Sequence, residues 1–384
     1  MIPDIKKSFE NIYNTPSTRI FFCPGRINLM GEHLDYNGGF VLPCAISLGT
    51  YLAISLRDDK EIHFHSLNLP ESLIWNLNQT VQKAGKEWYN YPLGILKYVQ
   101  ELGIPLRGLN LLYGGNIPIS SGLSSSASIE ILTAFTFNEL WSLKLSRMDM
   151  VFMAKKVENE FIGLQSGIMD QFSVSFGEKD QAILLNCQSL DYTLIPIKLE
   201  PYTLVIIGTN KARNLADSKY NERVIECNNA LKALRPFIDL DYLSDLDLST
   251  FLKYINEIKD PLEAKRSLHV ISETNRVHQS VKALKNHDLS QFGEIMYASH
   301  DSLKNSYEVS GLELDTIVDY CRLDPTILGA RMTGAGFGGC AIALVQSHSL
   351  EAFKKGLEKY YEEKVGYLPT LYPSDIGRGV HEVQ

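Results

Sequence analysis

Several features that a 384-residue chain often carries are missing from this one. No apolar run approaches the roughly 18 residues of a helical membrane span, which excludes a membrane protein built on such helices. Cys-x-x-Cys does not occur, and Cys23, Cys44, Cys187, Cys227, Cys321 and Cys340 lie far apart. Neither a disulfide framework nor a zinc site is expected, and the cysteines read as buried free thiols. Basic residues are in deficit: 37 Lys and Arg against 45 Asp and Glu leave a net charge of −8. That balance argues against nucleic acid, whose binding needs a basic stripe to displace counterions. Residues 1–14 lack the apolar core of a signal peptide, so the expected location is the cytoplasm. G-x-x-x-x-G-K-[ST], H-R-D and D-F-G are absent as well, which removes P-loop and protein-kinase architectures. There is no internal repeat and no low-complexity linker.

What is present is globular: 45% hydrophobic and 21% charged residues. The length suggests two packed domains, 1–200 and 201–384. Strand-like segments at Arg19–Cys23, Ala45–Leu56, Glu61–Ser66 and Leu109–Tyr113 are separated by turn residues, among them Pro24-Gly25 and Asn37-Gly38-Gly39. A helix is predicted from Ser124 to Leu143, and a second to about Phe161 behind the capping box Ser146-x-x-Asp149. Strands follow at Gln181–Cys187 and Tyr202–Gly208. The texture is then mainly helical from Ala216 to Asp324, with a strand at Cys340–Val345 and a helix at Leu350–Glu363. Strands and helices interspersed in both halves favour two layered domains with a cleft between them.

Three segments carry chemistry. Pro118-Ile119-Ser120-Ser121-Gly122-Leu123-Ser124-Ser125-Ser126-Ala127-Ser128 runs into a helix start, where small residues and unpaired N–H groups suit phosphate oxygens; serines that merely cap the helix would read the same way. Thr333 to Cys340 matches G-x-G-x-x-G at Gly334, Gly336 and Gly339, but the glycines precede a strand instead of opening a helix, so a dinucleotide fold is rejected and a nucleotide or sugar close to the backbone is expected. Arg26, Asn28, Glu32, His33, Asp35, Tyr36 and Asn37 crowd one turn-rich segment between the apolar anchors Phe21-Phe22 and Val41-Leu42, a composition suited to a polyhydroxylated ligand. Asp170 sits among apolar neighbours, where a carboxylate needs a partner; a general base paired with Arg26 fits.

Together these segments resemble the GHMP kinases and, within them, the galactokinases: Arg26–Pro43, Pro118–Ser128 and Ala330–Cys340 stand in the family's order. Ser299-His300-Asp301-Ser302-Leu303, Tyr307-Glu308-Val309-Ser310 and Glu158–Gln171 narrow the match. The resemblance implies an α+β fold, with an N-terminal mixed-sheet domain like ribosomal protein S5 domain 2, a C-terminal ferredoxin-like domain and the active site in their cleft. It implies ATP-dependent phosphorylation of the anomeric hydroxyl of galactose by a monomer using ATP and Mg2+, with no nucleic-acid or membrane partner. It makes Asp170 the base and Arg26 its partner, and it makes Glu32, His33, Asp35, Gly167 and Tyr220 the sugar contacts. Gly122, Leu123, Ser124, Ser125, Ser126, Ala127, Ser128, Gly334 and Gly336 become nucleotide contacts, and Ser126 and Glu158 the metal ligands. Tyr220 lies in Asp217-Ser218-Lys219-Tyr220-Asn221-Glu222-Arg223, similar to the family's S-x-Y-x-x-R. Ser120 replaces the first glycine of the family's P-x-G-x-G-L, and Leu34 stands where threonine is common. An N-acetylgalactosamine kinase and a non-catalytic sugar sensor are the alternatives; the intact Ser124–Ser128 run favours the enzyme.

Overall fold

The computed structural model describes residues 2–118, 122–164, 166–211 and 216–383, the side chains of 216–218 excepted. The first half contains α1 (Ile2–Tyr13), β1 (Arg19–Asn28), β2 (Phe40–Val41), β3 (Pro43–Arg57), β4 (Glu61–Ser66), β5 (Leu73–Asn76), α2 (Asn90–Glu101), β6 (Gly108–Gly115), α3 (Ser125–Trp141), α4 (Arg147–Lys156), α5 (Met169–Phe176), β7 (Gln181–Asn186) and β8 (Tyr192–Pro196). The second contains β9 (Tyr202–Gly208), α6 (Ala216–Leu234), α7 (Leu248–Tyr254), α8 (Pro261–Lys285), α9 (Leu289–Ser302), α10 (Leu312–Leu323), β10 (Ile327–Thr333), β11 (Cys340–Gln346), α11 (Leu350–Val365), β12 (Thr370–Ser374) and β13 (His381–Glu382). No helix among the described residues is long and apolar enough to cross a membrane.

A six-stranded sheet in the order β13-β1-β3-β6-β4-β5 forms the floor of the first half. It is mixed, because β4 runs parallel to β6 while its other neighbouring strands pair antiparallel. Helix α3 packs on β1 and β3, and α1 covers another part of the sheet, with Ile5 and Phe9 against Ile20, Ala53 and Leu112. The second half holds an antiparallel sheet in the order β12-β9-β11-β10. Numbered within that half the order is 4-1-3-2, the split βαβ arrangement of ferredoxin-like folds expected from the sequence. A small sheet, β2-β7-β8, adds a third layer beside the first.

Several local expectations need correction. Pro24-Gly25, read as a turn, lies inside β1, where the pairing with β3 shifts register and the strand bends. The glycine run at 334–339 follows a strand, β10, as well as preceding one, so it is a hairpin loop; it opens no helix. Helix α4 ends at Lys156, and residues Val157–Ile162 continue as a wider π-type turn. Helix α2 has no counterpart among the elements expected from the sequence, and it carries both Pro92 and Gly94. A Cβ on Gly94 would lie 2.5 Å from Val157 Cγ1, so glycine is what lets α2 approach that π turn.

The box at Ser146 is present as expected, with the Ser146 hydroxyl accepting from Asp149 N and the Asp149 carboxylate accepting from Ser146 N. Ser146→Ala should cost about 1 kcal/mol of stability, measured as a lower urea midpoint at unchanged slope.

Candidate functional site

The site is assembled around one buried guanidinium. Arg26, on the bend of β1, is 5% exposed, and a charge so buried must be paired. Its Nε and Nη2 lie 2.8 and 2.7 Å from Asp170 Oδ1, and Nη1 donates to Gly122 O at 2.7 Å. Asp170 stands in the first turn of α5. Its second oxygen, Oδ2, accepts from Ser124 Oγ at 2.5 Å. Thus β1, the stretch before α3 and the start of α5 meet at a single carboxylate.

That meeting leaves the end of α3 open. Ser124 holds the N-cap position in a left-handed conformation, yet its side chain makes no cap bond because it is spent on Asp170. The first backbone bond of the helix is Ser128 N to Ser124 O, so the N–H groups of Ser125, Ser126 and Ala127 precede the intrahelical ladder, with the helix dipole behind them. Ser126 Oγ donates to Glu158 Oε1 at 2.8 Å, and the π turn is what carries Glu158 there. Ser128 faces the other way, 2.9 Å from Cys23 O and 3.1 Å from Thr50 Oγ1, and ties α3 to the sheet. Leu123 is buried, and its carbonyl accepts from Arg26 N. Ile119, Ser120 and Ser121 lie outside the described residues, as do the side chains of Asp217 and Ser218.

Beside Asp170 opens a cavity of about 280 Å³, lined by Arg26, Glu32, His33, Asp35, Gly167 and Tyr220 together with Glu158, Ser166, Asn221, Gly334 and Ala335. The sugar contacts expected from the resemblance all converge here. Gly167 is required by Asp35: a Cβ at 167 would lie 1.9 Å from Asp35 Oδ2. Tyr220 reaches the cavity from α6, its ring 5.6 Å from that of His33 and 5.4 Å from that of Tyr36. His33 Nδ1 is 2.8 Å from Tyr36 Oη, which is 2.7 Å from Tyr307 Oη. Burial lowers the His33 pKa to about 3, so the imidazole is neutral. Gly334 lines the cavity, whereas Gly336 packs on the backbone of Val309.

Three family models match the chain: the galactokinase galactose-binding signature over residues 7–56, the GHMP kinases N terminal domain over 90–178 and the GHMP kinases C terminal over 280–363. A galactokinase of Enterococcus faecalis is 47% identical, over 98% of this chain and 98% of the relative. One from Clostridium perfringens is 46% identical over 99% of both chains. The chain belongs to the galactokinases. The crystal structure of Lactococcus lactis galactokinase complexed with galactose superposes with a TM-score of 0.94, at 42% identity over 99% of both chains. Methanococcus jannaschii mevalonate kinase, at 23% identity and a TM-score of 0.70, covering 93% of this chain and 98% of its own, shares the fold.

Sequence reasoning did not single out Ser166 and Asn221 in this galactokinase, although each neighbours a residue it chose. It also missed Arg331, which lies under the site inside the third motif and reveals its part only through packing.

Burial, reinforced by the charge of Asp170, pushes the Asp35 carboxyl up to about 6 from 3.8. The native state therefore holds this proton more tightly than the unfolded chain. The stability it contributes is full below about pH 4 and is lost as pH rises through 6. Asparagine cannot ionise, so Asp35→Asn should stabilise the sugar-free protein at pH 8 by about 1–2 kcal/mol, discounted because the group opens on the cavity, and by nothing at pH 4. Chemical denaturation of both forms across that range measures the difference.

Proposed function

We propose that the chain transfers the γ-phosphoryl group of ATP to the anomeric hydroxyl of D-galactose, giving galactose 1-phosphate and ADP, with the sugar in the cavity beside Asp170. The observation that carries this reading is the placing of Asp170: one oxygen is fixed by Arg26, the other faces Ser124, and the group opens on a cavity lined by polar side chains. In the reaction the sugar O1–H gives its proton to Asp170 while O1 attacks the γ-phosphorus in line, and the bond from that phosphorus to the bridging oxygen breaks towards ADP. Arg26 holds the carboxylate in line and stabilises charge on the transferring group. The N–H groups of Ser125, Ser126 and Ala127 receive the polyphosphate. Most of the acceleration comes from positioning and fixed charge.

Ser126 and Glu158 fit a magnesium ion, because a hydroxyl and a carboxylate are the hard oxygens it takes, with phosphate and water completing its shell. Burial, then the charge of Asp170, pushes the Glu158 carboxyl up, and a cation would reverse that push. Bound there, the ion would offset charge on the polyphosphate. Glu32, His33, Asp35 and Tyr220 offer partners to hydroxyls remote from O1, and Gly167 gives room beside Asp35. The same reading places the protein in the cytoplasm as a monomer and divides it at residues 200 and 201.

A coupled assay of ADP release over galactose, glucose and N-acetylgalactosamine tests the assignment. Galactose should exceed glucose in kcat/KM by roughly 10⁴, since a reversed hydroxyl leaves a buried partner unpaired; equal rates with either competitor would overturn the substrate. Asp170→Asn should keep its fold and lose at least about a hundredfold in kcat. Glu158→Gln should shift the magnesium titration of activity to higher concentration, and an unmoved curve would place the ion elsewhere.

A further inference from the structure

The cavity rests on a second layer of buried charge. Arg331, in β10, has no exposed surface and does not line the cavity. Its Nη1 donates to Leu29 O at 2.8 Å, and its Nη2 lies 3.5 Å from Glu32 Oε1 and 3.9 Å from Glu273 Oε1. Glu273, in α8, is equally buried; it accepts from Gly31 N at 3.0 Å, Ser299 Oγ at 2.7 Å and Arg276 Nε at 2.6 Å. His269, one turn earlier on α8, has Nε2 3.2 Å from Glu32 O. The residues that hold segment 29–32 from below thus come from α8 and β10, more than two hundred residues along the chain.

Glu32 is the member of this group that reaches the cavity. Its Oε1 accepts from Gly334 N at 2.8 Å and its Oε2 from Asn28 Nδ2 at 2.8 Å. Both oxygens are therefore aimed before any ligand arrives. We propose that Arg331 and Glu273, neither of which lines the cavity, are positioning residues that act through Glu32 to set the affinity for sugar. This rests on the cavity being the sugar site. The charges agree with the geometry: burial pushes the Glu32 carboxyl up, and Arg331 is the largest influence opposing it. Burial would likewise raise Glu273, but Arg276 and Arg331 outweigh it and hold that carboxyl well below the usual range. Removing Arg331 would leave two buried carboxylates short of their shared cation, and Glu32 would shift or take up a proton.

The test is a double-mutant cycle on galactose affinity, read by calorimetry, with steady-state kinetics alongside. Arg331→Met should weaken galactose binding about tenfold or more while leaving the KM for ATP within about twofold, and Arg331→Lys should restore part of the loss. In the Glu32→Gln background the same Arg331→Met change should have little further effect, because its route to the sugar is already cut. Additive losses would overturn the proposal, since a general weakening of the fold would act in either background. Should Arg331→Met fail to fold, Glu273→Gln keeps the side-chain shape; a rise of roughly threefold in galactose KM, absent in the Glu32→Gln background, is the expected result, and an unchanged KM overturns it. If Glu32→Gln alone leaves galactose binding unchanged, the sugar-site reading falls. If it weakens binding and the Arg331 and Glu273 variants do not, only the positioning role falls.

Discussion

The pairing of Arg26 with Asp170 is the contact on which the rest of the site depends. A guanidinium buried on a strand of the central sheet cannot stay without a partner, and this one takes a carboxylate from α5 and a carbonyl from the segment before α3. Three stretches that are separate in the chain are thereby brought to fixed positions. The bend in β1 belongs to the same arrangement, because it is where the strand leaves regular register with β3 and Arg26 N turns to Leu123 O. Loosening the pair would misplace the Asp170 carboxylate, the helix end and the cavity wall together.

Around that pair the protein holds carboxyl groups where they are costly. Burial pushes up Glu32, Asp35 and Glu158, and Glu130, fully buried on α3, is raised well above its ordinary value, with Glu158 as a further cause. Such groups lower the stability of the ligand-free fold and would gain from any donor, hydroxyl or cation brought against them. Ligands that bind only the folded form then return part of that stability by mass action. The open end of α3 follows the same logic, since a hydroxyl that could have capped the helix is turned to Asp170 instead.

The second half of the chain contributes more than a wall. Helix α8 and strand β10 supply Glu273, His269 and Arg331 to the underside of the segment bearing Glu32 and His33. The Tyr307 segment does similar work from another side, with its hydroxyl on Tyr36, the carbonyl of Val309 on Phe337 N and the carbonyl of Tyr307 on Arg223. These contacts explain why the stretch Tyr307–Ser310 stood out beside the three motifs although it does not line the cavity.

The sequence alone was enough to name the family, the order of the three motifs, much of the strand and helix texture of both halves and several of the residues that line the cavity. All of these are written in neighbouring positions: an apolar stripe, a cap three residues from its partner, a run of small residues before a helix. It could not say that β1 runs on through Pro24-Gly25, that Gly94 belongs inside a helix or that Ser128 turns into the core. It offered Arg26 as the partner of Asp170, 144 residues away, but not the contact of Gly334 N with Glu32 Oε1, 302 residues apart, nor the contacts of Arg331 and Glu273 beneath them. Local propensity stops within a few residues of its source, whereas the cost of burying a charge or admitting a Cβ depends on whatever the fold brings alongside, and that was decided only when the distant segments packed.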